Sequence, residues 1–166
     1  MIDLHTHTTE SDGTLSPAEL IQSAVEVGLE ALAITDHDTF AGFEKARPAA
    51  AAAGLPVYRG IELSTALGNP KQKTIHLLGY FLKADPAAEF TEWVQKMQAA
   101  RRDRNVRLAA KLQSLGFDIT IEEVNALGRS LAGRPHFARL LVDKGYVRTT
   151  KEAFDLLVDQ GFLTDG

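Results

Sequence analysis

The sequence predicts an α/β fold in which a few short parallel strands form a sheet or incomplete barrel, followed by a separate helical segment. Three observations carry this reading. Over the first 82 residues, short apolar runs alternate with helical patterns in the order β-α-β-α-β. After Lys83 strand-like runs fade and helical spacing takes over. The 166 residues suffice for a sizeable core but fall short of the roughly 200 that a complete (β/α)₈ barrel needs.

Each element has its own local signal. Ile2 to His7 reads as the first strand. Ser16, Pro17 and Glu19 form a helix start, with a serine cap, proline in the first turn and glutamate closing a capping box. Leu20, Ile21, Ala24 and Val27 supply the apolar stripe, and Gly28 ends it. Ala31 to Thr35 is apolar on both faces, as a buried parallel strand requires. A weaker helix is expected from Phe40 to Ala53, interrupted by Pro48 and stopped by Gly54. Val57 to Glu62 and Thr74 to Leu82 are the third and fourth strands, with a loop at Gly68-Asn69-Pro70 between them.

Asp85-Pro86 then opens a long helix. Phe90, Trp93, Val94, Met97, Leu108, Leu112 and Leu115 keep its apolar spacing as far as Gly116. Thr120 with Glu123, Pro135 to Lys144, and Thr149 with Glu152 mark three shorter helices. The expected organisation is therefore residues 1–83 as the strand-bearing part, 84–148 as a helical insertion, and 149–166 as a return toward the barrel.

Composition removes several function classes. There are no cysteines, which excludes disulfides, thiolate metal sites and thiol catalysis. No apolar run approaches the roughly 20 residues of a membrane span, and the N-terminus has no signal-peptide pattern. The expected setting is the cytoplasm, with no membrane and no obligate protein partner. Charge is unevenly spread. Residues 1–70 hold 3 basic and 10 acidic side chains and three of the five histidines, whereas 15 basic and 12 acidic residues follow. Carboxylates mixed with imidazoles favour hard or borderline divalent ions.

Placement singles out particular side chains. His5 and His7 lie two apart on one strand, so both project from one face about 6.5 Å apart along it. Asp12 follows just beyond that strand, where a turn aspartate before Gly13 is the more common role. The second strand ends in Asp36-His37-Asp38, a costly place for charge unless water, a metal or a partner receives it. Glu62 ends the third strand. His76 sits in the fourth among Ile75, Leu77 and Leu78, where a core histidine bonded to backbone is the plain alternative. The strand-end pattern is what parallel α/β proteins use for active sites. His5, His7, Asp12, His37, Glu62 and His76 are more nitrogen and oxygen donors than one ion requires, and suit a hydrolytic site of two or three metals.

Further along, six basic residues and one acidic one lie between Lys96 and Lys111. This run reads as the solvated face of an amphipathic helix, with a polyphosphate or nucleic-acid contact as the alternative.

Five stretches carry a resemblance to a known family: Leu4-His5-Thr6-His7-Thr8, Ser11-Asp12-Gly13, Ile34-Thr35-Asp36-His37-Asp38-Thr39, Gly60-Ile61-Glu62-Leu63-Ser64 and Ile75-His76-Leu77-Leu78-Gly79-Tyr80. With Gly133-Arg134-Pro135-His136-Phe137-Ala138 they resemble the polymerase and histidinol phosphatase (PHP) phosphoesterases. The similar branch is a small bacterial one that includes nucleoside 3′,5′-bisphosphate phosphatases and enzymes trimming RNA from the 5′ end. The resemblance implies the N-terminal part of a distorted (β/α)₇ barrel with an inserted helical subdomain. It implies two or three divalent ions, Mn²⁺, Zn²⁺ or Fe²⁺, held by His5, His7, Asp12, His37, Glu62 and His76. Glu62 would bridge two ions, and Asp12 and His37 would share a third. The family's three later ligands, a His-Pro histidine and an Asp-x-His pair, have no counterpart, because only His136 follows His76. The chain thus reads as C-terminally truncated.

The implied activity is hydrolysis of phosphate monoesters of a nucleotide, or of short oligonucleotide 5′ ends, by a metal-activated hydroxide. With late ligands missing, weak or absent turnover is expected. Asp36 or Asp38 would orient a ligand histidine, Arg134 would clamp a second phosphate, and His136 would contact the leaving nucleoside. A surface ion pair is the alternative role for Arg134. Other readings stay open: a histidinol-phosphatase-like or amidohydrolase-type metal hydrolase, or a non-catalytic fragment serving as an interaction module.

Overall fold

The computed structural model describes residues 1–66, 74–128 and 131–159. The turn expected at Gly68-Asn69-Pro70 and the tail Phe162 to Gly166 lie outside them. Four strands, β1 (Ile2–Thr6), β2 (Ala31–Ile34), β3 (Val57–Ala66) and β4 (Thr74–Phe81), form one sheet in the order β1-β2-β3-β4. Helices α1 (Pro17–Glu26) and α2 (Ala41–Ala53) connect the first three, which run parallel. The α1 start follows its sequence: Ser16 Oγ accepts from the Glu19 amide, and the Ser16 amide donates to Glu19 Oε2 at 2.8 Å. Gly28 takes φ +75° just past the end of α1, a conformation that favours glycine.

Three expectations are corrected. Pro48 does not interrupt α2, which is continuous from Ala41 to Ala53. Proline forfeits only the bond to the Glu44 carbonyl, while Ala46 and Ala50 on either side are buried and hold the turn. Strand β3 runs on past Glu62 to Ala66. Strand β4 is antiparallel to β3 rather than another parallel strand. A parallel return needs a crossover of about a dozen residues or more, and the connection 67–73 is shorter than that. The antiparallel register sets His76 opposite Ser64 and Leu78 opposite Glu62. His76 therefore lies in the first half of its strand, and the reversal of direction brings it to the same end of the sheet as Glu62.

The sheet curls into a half-barrel. Its two outer strands meet where the Tyr80 hydroxyl on β4 donates to the Leu4 carbonyl on β1 at 2.8 Å. Against the outside of the curl, Ile21 and Ala24 of α1 and Ala46 and Ala50 of α2 pack on Leu32 and Ile34 of β2. Burying each of those branched side chains contributes about 1.5–3 kcal/mol.

Four helices follow: α3 (Ala88–Ser114), α4 (Ile121–Gly128), α5 (Arg134–Asp143) and α6 (Thr150–Asp159). They share a second core in which Leu108 and Leu112 of α3 meet Val124 of α4, Phe137 and Leu141 of α5, and Ala153 and Leu157 of α6. Through Ala153 and Leu157, α6 thus packs with the other helices. An aromatic group of Phe40, Phe81, Phe90 and Trp93 links the start of α3 to the sheet, with successive ring centroids 5.6 Å apart from Phe40 through Phe81 and Phe90 to Trp93. Among the described residues no helix is long and apolar enough to cross a membrane.

Candidate metal centre

The donor side chains come from four strands and the loops that follow them. His5 lies on β1, and His7 and Asp12 follow it. His37 follows β2 and is drawn beside β3 by a backbone bridge to Glu62: the Glu62 amide donates to the Asp36 carbonyl and the Asp38 amide to the Glu62 carbonyl. His76 arrives on β4.

Four of these groups, the histidines, converge on Glu62. Its Oε2 stands 2.9 Å from His5 Nε2, 2.8 Å from His7 Nε2 and 3.9 Å from His37 Nε2. Its other oxygen, Oε1, stands 2.8 Å from His76 Nδ1. Asp12 lies 3.3 Å from His7 Nδ1 through Oδ1 and 3.5 Å from His37 Nε2 through Oδ2. Three overlapping triads result: His5-His7-Glu62, His7-Asp12-His37 and His37-Glu62-His76, each with its donor atoms within 4.8 Å of one another.

The donor set fits divalent metal. His5 Nε2 and His7 Nε2 are 3.1 Å apart while both lie against one carboxylate oxygen. Edges of 2.8–3.1 Å are close to those between neighbouring ligands of one ion bound at about 2.0–2.2 Å. His37 Nδ1 is buried with no hydrogen-bond partner among the described residues, so no second contact fixes that ring's tautomer, as a ligand histidine's outer nitrogen ordinarily would.

Electrostatics keep the acids ionised. The hydrogen bond with His7 pushes the Asp12 pKa down to about 2, against burial and with help from the nearby His37 charge. Burial tends to raise Glu62, but its bonds to His5 and His76 and the charges of His37 and His7 prevail, and it is lowered. Burial likewise opposes protonation of His7, yet Asp12, Glu62 and Asp36 outweigh it and raise its pKa above the ordinary 6.5. His37 is lowered, because burial dominates there.

Asp36 touches no histidine directly. Fully buried, it accepts from the Thr8 amide at 2.7 Å, the Thr8 hydroxyl at 2.8 Å and the Ser11 hydroxyl at 2.6 Å. Ser11 Oγ in turn lies 3.3 Å from His7 Nδ1, so Asp36 orients His7 through Ser11 while fixing the loop that carries Asp12. Gly42 backs onto this carboxylate so closely that any Cβ would overlap Asp36 Oδ2. Asp38 also reaches no histidine; its carboxylate accepts from the Ser64 amide at 2.8 Å and pairs with Arg101.

A cavity of about 350 Å³ opens beside the cluster, with Asp12, His37 and His76 on the strand side and Arg101, Arg104, Arg134 and His136 on the helical side. His136 is buried, its Nδ1 accepting from the Gly133 amide at 3.0 Å and its ring bonded to the Ser11 backbone; burial lowers its pKa, so it is neutral. Arg104 is pushed down to about 10 by burial and by the charges of Arg101 and Arg134. Arg134 is lowered by burial and by Arg101. Among the described residues, the Nε atoms of Arg104 and Arg134 are buried without a hydrogen-bond partner. Arg101 and Arg104 are pocket residues that the sequence reading missed inside its solvated-face assignment. Their signal was the Arg101–Arg104 spacing of three on the helix rim nearest Asn105 and Leu108, which are buried.

Residues 3–153 match the PHP domain family. A 5′-3′ exoribonuclease of Haemophilus influenzae is 38 % identical over 160 residues, covering 96 % of this chain and 57 % of its own length. A 3′,5′-nucleoside bisphosphate phosphatase of Chromobacterium violaceum is 35 % identical over 170 residues, covering 99 % of this chain and 55 % of its own. The solved structure of a protein described as a metal-dependent phosphoesterase, from Bifidobacterium adolescentis, matches with TM-score 0.80 and 35 % identity over 93 % of this chain and 54 % of that one. The chain thus spans little more than half the length of these relatives, with strand order, donor cluster and pocket in the matched part. It belongs to the PHP domain family.

Proposed function

We propose that this chain contributes the metal centre and one wall of the substrate pocket of a metal-dependent phosphoesterase acting on nucleotides. The observation that carries the reading is the juxtaposition of three overlapping donor triads, two of them sharing Glu62, with a cavity walled by Arg101, Arg104 and Arg134. Three guanidiniums beside one donor cluster suit phosphate esters, and they set this reading apart from hydrolysis of a neutral amide.

His5, His7, Asp12, His37, Glu62 and His76 would hold two or three divalent ions, with Mn²⁺, Zn²⁺ and Fe²⁺ all compatible with nitrogen and oxygen donors. Such ions supply Lewis acidity, activating water near neutral pH and offsetting charge on phosphoryl oxygens. The chain's own part is to aim the donors and seat the ester. Ser11 and Asp36 hold His7; Arg134 and Arg104 offer N–H donors to a phosphate away from the cluster. Neutral His136 lines the same wall, where a nucleoside would lie. The favoured substrates carry two phosphates, as a nucleoside 3′,5′-bisphosphate or a short oligonucleotide 5′ end does. Six donors shared among up to three ions leave coordination positions open, and turnover by these 166 residues alone is accordingly weak.

Calorimetric titration with Mn²⁺ and Zn²⁺ tests the centre, and assays with p-nitrophenyl phosphate and a nucleoside 3′,5′-bisphosphate test the reaction. The expected result is at least one bound ion per chain and measurable preference for the bisphosphate. A chain that binds neither ion and hydrolyses neither ester would sink the reading.

A further inference from the structure

Arg101 occupies a place that neither the donor cluster nor the pocket explains by itself. It belongs to α3, outside the strand-bearing part of the chain, and its Nη2 lies 2.8 Å from Ser64 Oγ while pairing with the Asp38 carboxylate. Asp38 and Ser64 are the residues one and two positions beyond His37 and Glu62, two donors from different strands. The same two residues are joined to each other, because the Ser64 amide donates to Asp38 Oδ1 at 2.8 Å. One turn earlier on α3, the Gln98 side-chain amide donates to the Asp38 carbonyl at 2.8 Å. Asp38 is held this tightly in a demanding conformation: it has φ +52°, the one positive φ of a non-glycine residue among those described. Its side chain is buried, so a charged partner is required there.

We infer that Arg101 is a positioning residue of the metal centre, a clasp by which helix α3 fixes the separation of His37 and Glu62 through Asp38 and Ser64. The inference rests on the proposed metal-binding role of those two side chains. It makes the helical segment part of the centre rather than an appendage, since the strands alone leave Asp38 as a buried carboxylate with no cation. A guanidinium is needed because it presents several donors in a fixed plane to Asp38 and Ser64 at once, whereas an ammonium is a point charge on a flexible stem.

The test is Mn²⁺ titration calorimetry on the whole chain, paired with thermal unfolding in a chelator. Arg101→Gln is expected to weaken Mn²⁺ affinity about 10- to 100-fold. Arg101→Lys, which keeps the charge facing Asp38, is expected to keep the metal-free melting temperature and still lose affinity, by roughly 3- to 10-fold. Should Arg101→Gln fail to fold, Arg101→Lys decides alone. Lys144→Ala, which removes an ion pair to Glu123 within the helical layer, serves as the control: it lowers the melting temperature without changing Mn²⁺ affinity. Mn²⁺ affinities of the Arg101 variants within twofold of the parent would overturn the inference. So would an equal loss in Lys144→Ala, since that would mark a general loosening of the helices. A parent chain that binds no metal at all would instead bring down the metal-centre reading, and this inference with it.

Discussion

The Nε2 atoms of His5 and His7 stand 3.1 Å apart and meet on the same oxygen of Glu62. Two imidazole nitrogens and a carboxylate oxygen thus crowd one point, which is a cation's environment. His7 takes part in two of the three triads and His5 in one. His7→Ala is therefore expected to weaken Mn²⁺ or Zn²⁺ binding on the order of 100-fold or more, exceeding the effect of altering a residue that only supports a ligand. His5→Ala is expected to cost less. Calorimetry ranks them, and a larger loss from His5→Ala would contradict the triad assignment.

Acidity supplies a second prediction. With metal removed, Asp12, Glu62 and Asp36 hold the His7 proton more tightly than a free imidazole holds its own, despite burial. A raised folded-state pKa means that protonated His7 stabilises the fold fully below about pH 6.5 and loses that contribution as pH rises through the folded value. Urea unfolding in a chelator should show the stability gap between the parent and His7→Gln narrowing as the pH rises above about 6.5. Metal binding must displace the same proton, so Mn²⁺ affinity should fall as pH drops below 7. A gap that widens with pH would refute the sign.

Glycine positions separate support of the centre from support of the fold. A Cβ at Gly42 would overlap Asp36 Oδ2 and Thr8 Oγ1, the contacts that fix the loop before Asp12. Gly42→Ala is expected to cost about 1–3 kcal/mol by overpacking and to weaken metal binding as well. Gly28 has open space around it but φ +75°. Gly28→Ala is expected to cost about 1–2 kcal/mol of stability and to leave metal affinity unchanged. Urea unfolding and calorimetry on both variants check the pair; equal metal affinities in both would remove Asp36 and its loop from the centre.

What the sequence made legible follows from how far each signal reaches. Capping at Ser16 and Glu19, the apolar run Ala31 to Ile34 and the end of α1 at Gly28 are local chemistry, and all appear where residue types place them. The donors His5, His7, His37 and Glu62 were visible because parallel strands send such residues to one edge. The direction of β4 was not legible from its apolar pattern, which is the same in either orientation; only the shortness of the connection carried it. Arg101 and Arg104 were hidden because a basic run on a helix looks alike whether water or a cavity faces it. Their meaning depends on Asp38 and Arg134, residues far away in sequence that only the folded chain brings near.

Arg104 gives the last prediction, in which stability and binding move in opposite directions. Its guanidinium is partly buried near those of Arg101 and Arg134, its Nε has no hydrogen-bond partner among the described residues, and its Nη2 donates a 3.1 Å bond to the adjacent Asn105 side chain. Like charges held together away from water destabilise a fold unless an anion joins them. Replacing a buried, poorly compensated ion with an apolar side chain of similar length is often stabilising. Arg104→Met should therefore raise the chain's unfolding free energy, by about 1 kcal/mol. The same change removes a charged donor worth about 1.5–3 kcal/mol to a bound phosphate. Affinity for a nucleoside 3′,5′-bisphosphate, measured by calorimetry with Mn²⁺ present, should accordingly drop roughly 10- to 150-fold. Binding of inorganic phosphate at the donor cluster should change little. A variant that loses stability, or that keeps its grip on the bisphosphate, would show that Arg104 is held for packing and not for an anion.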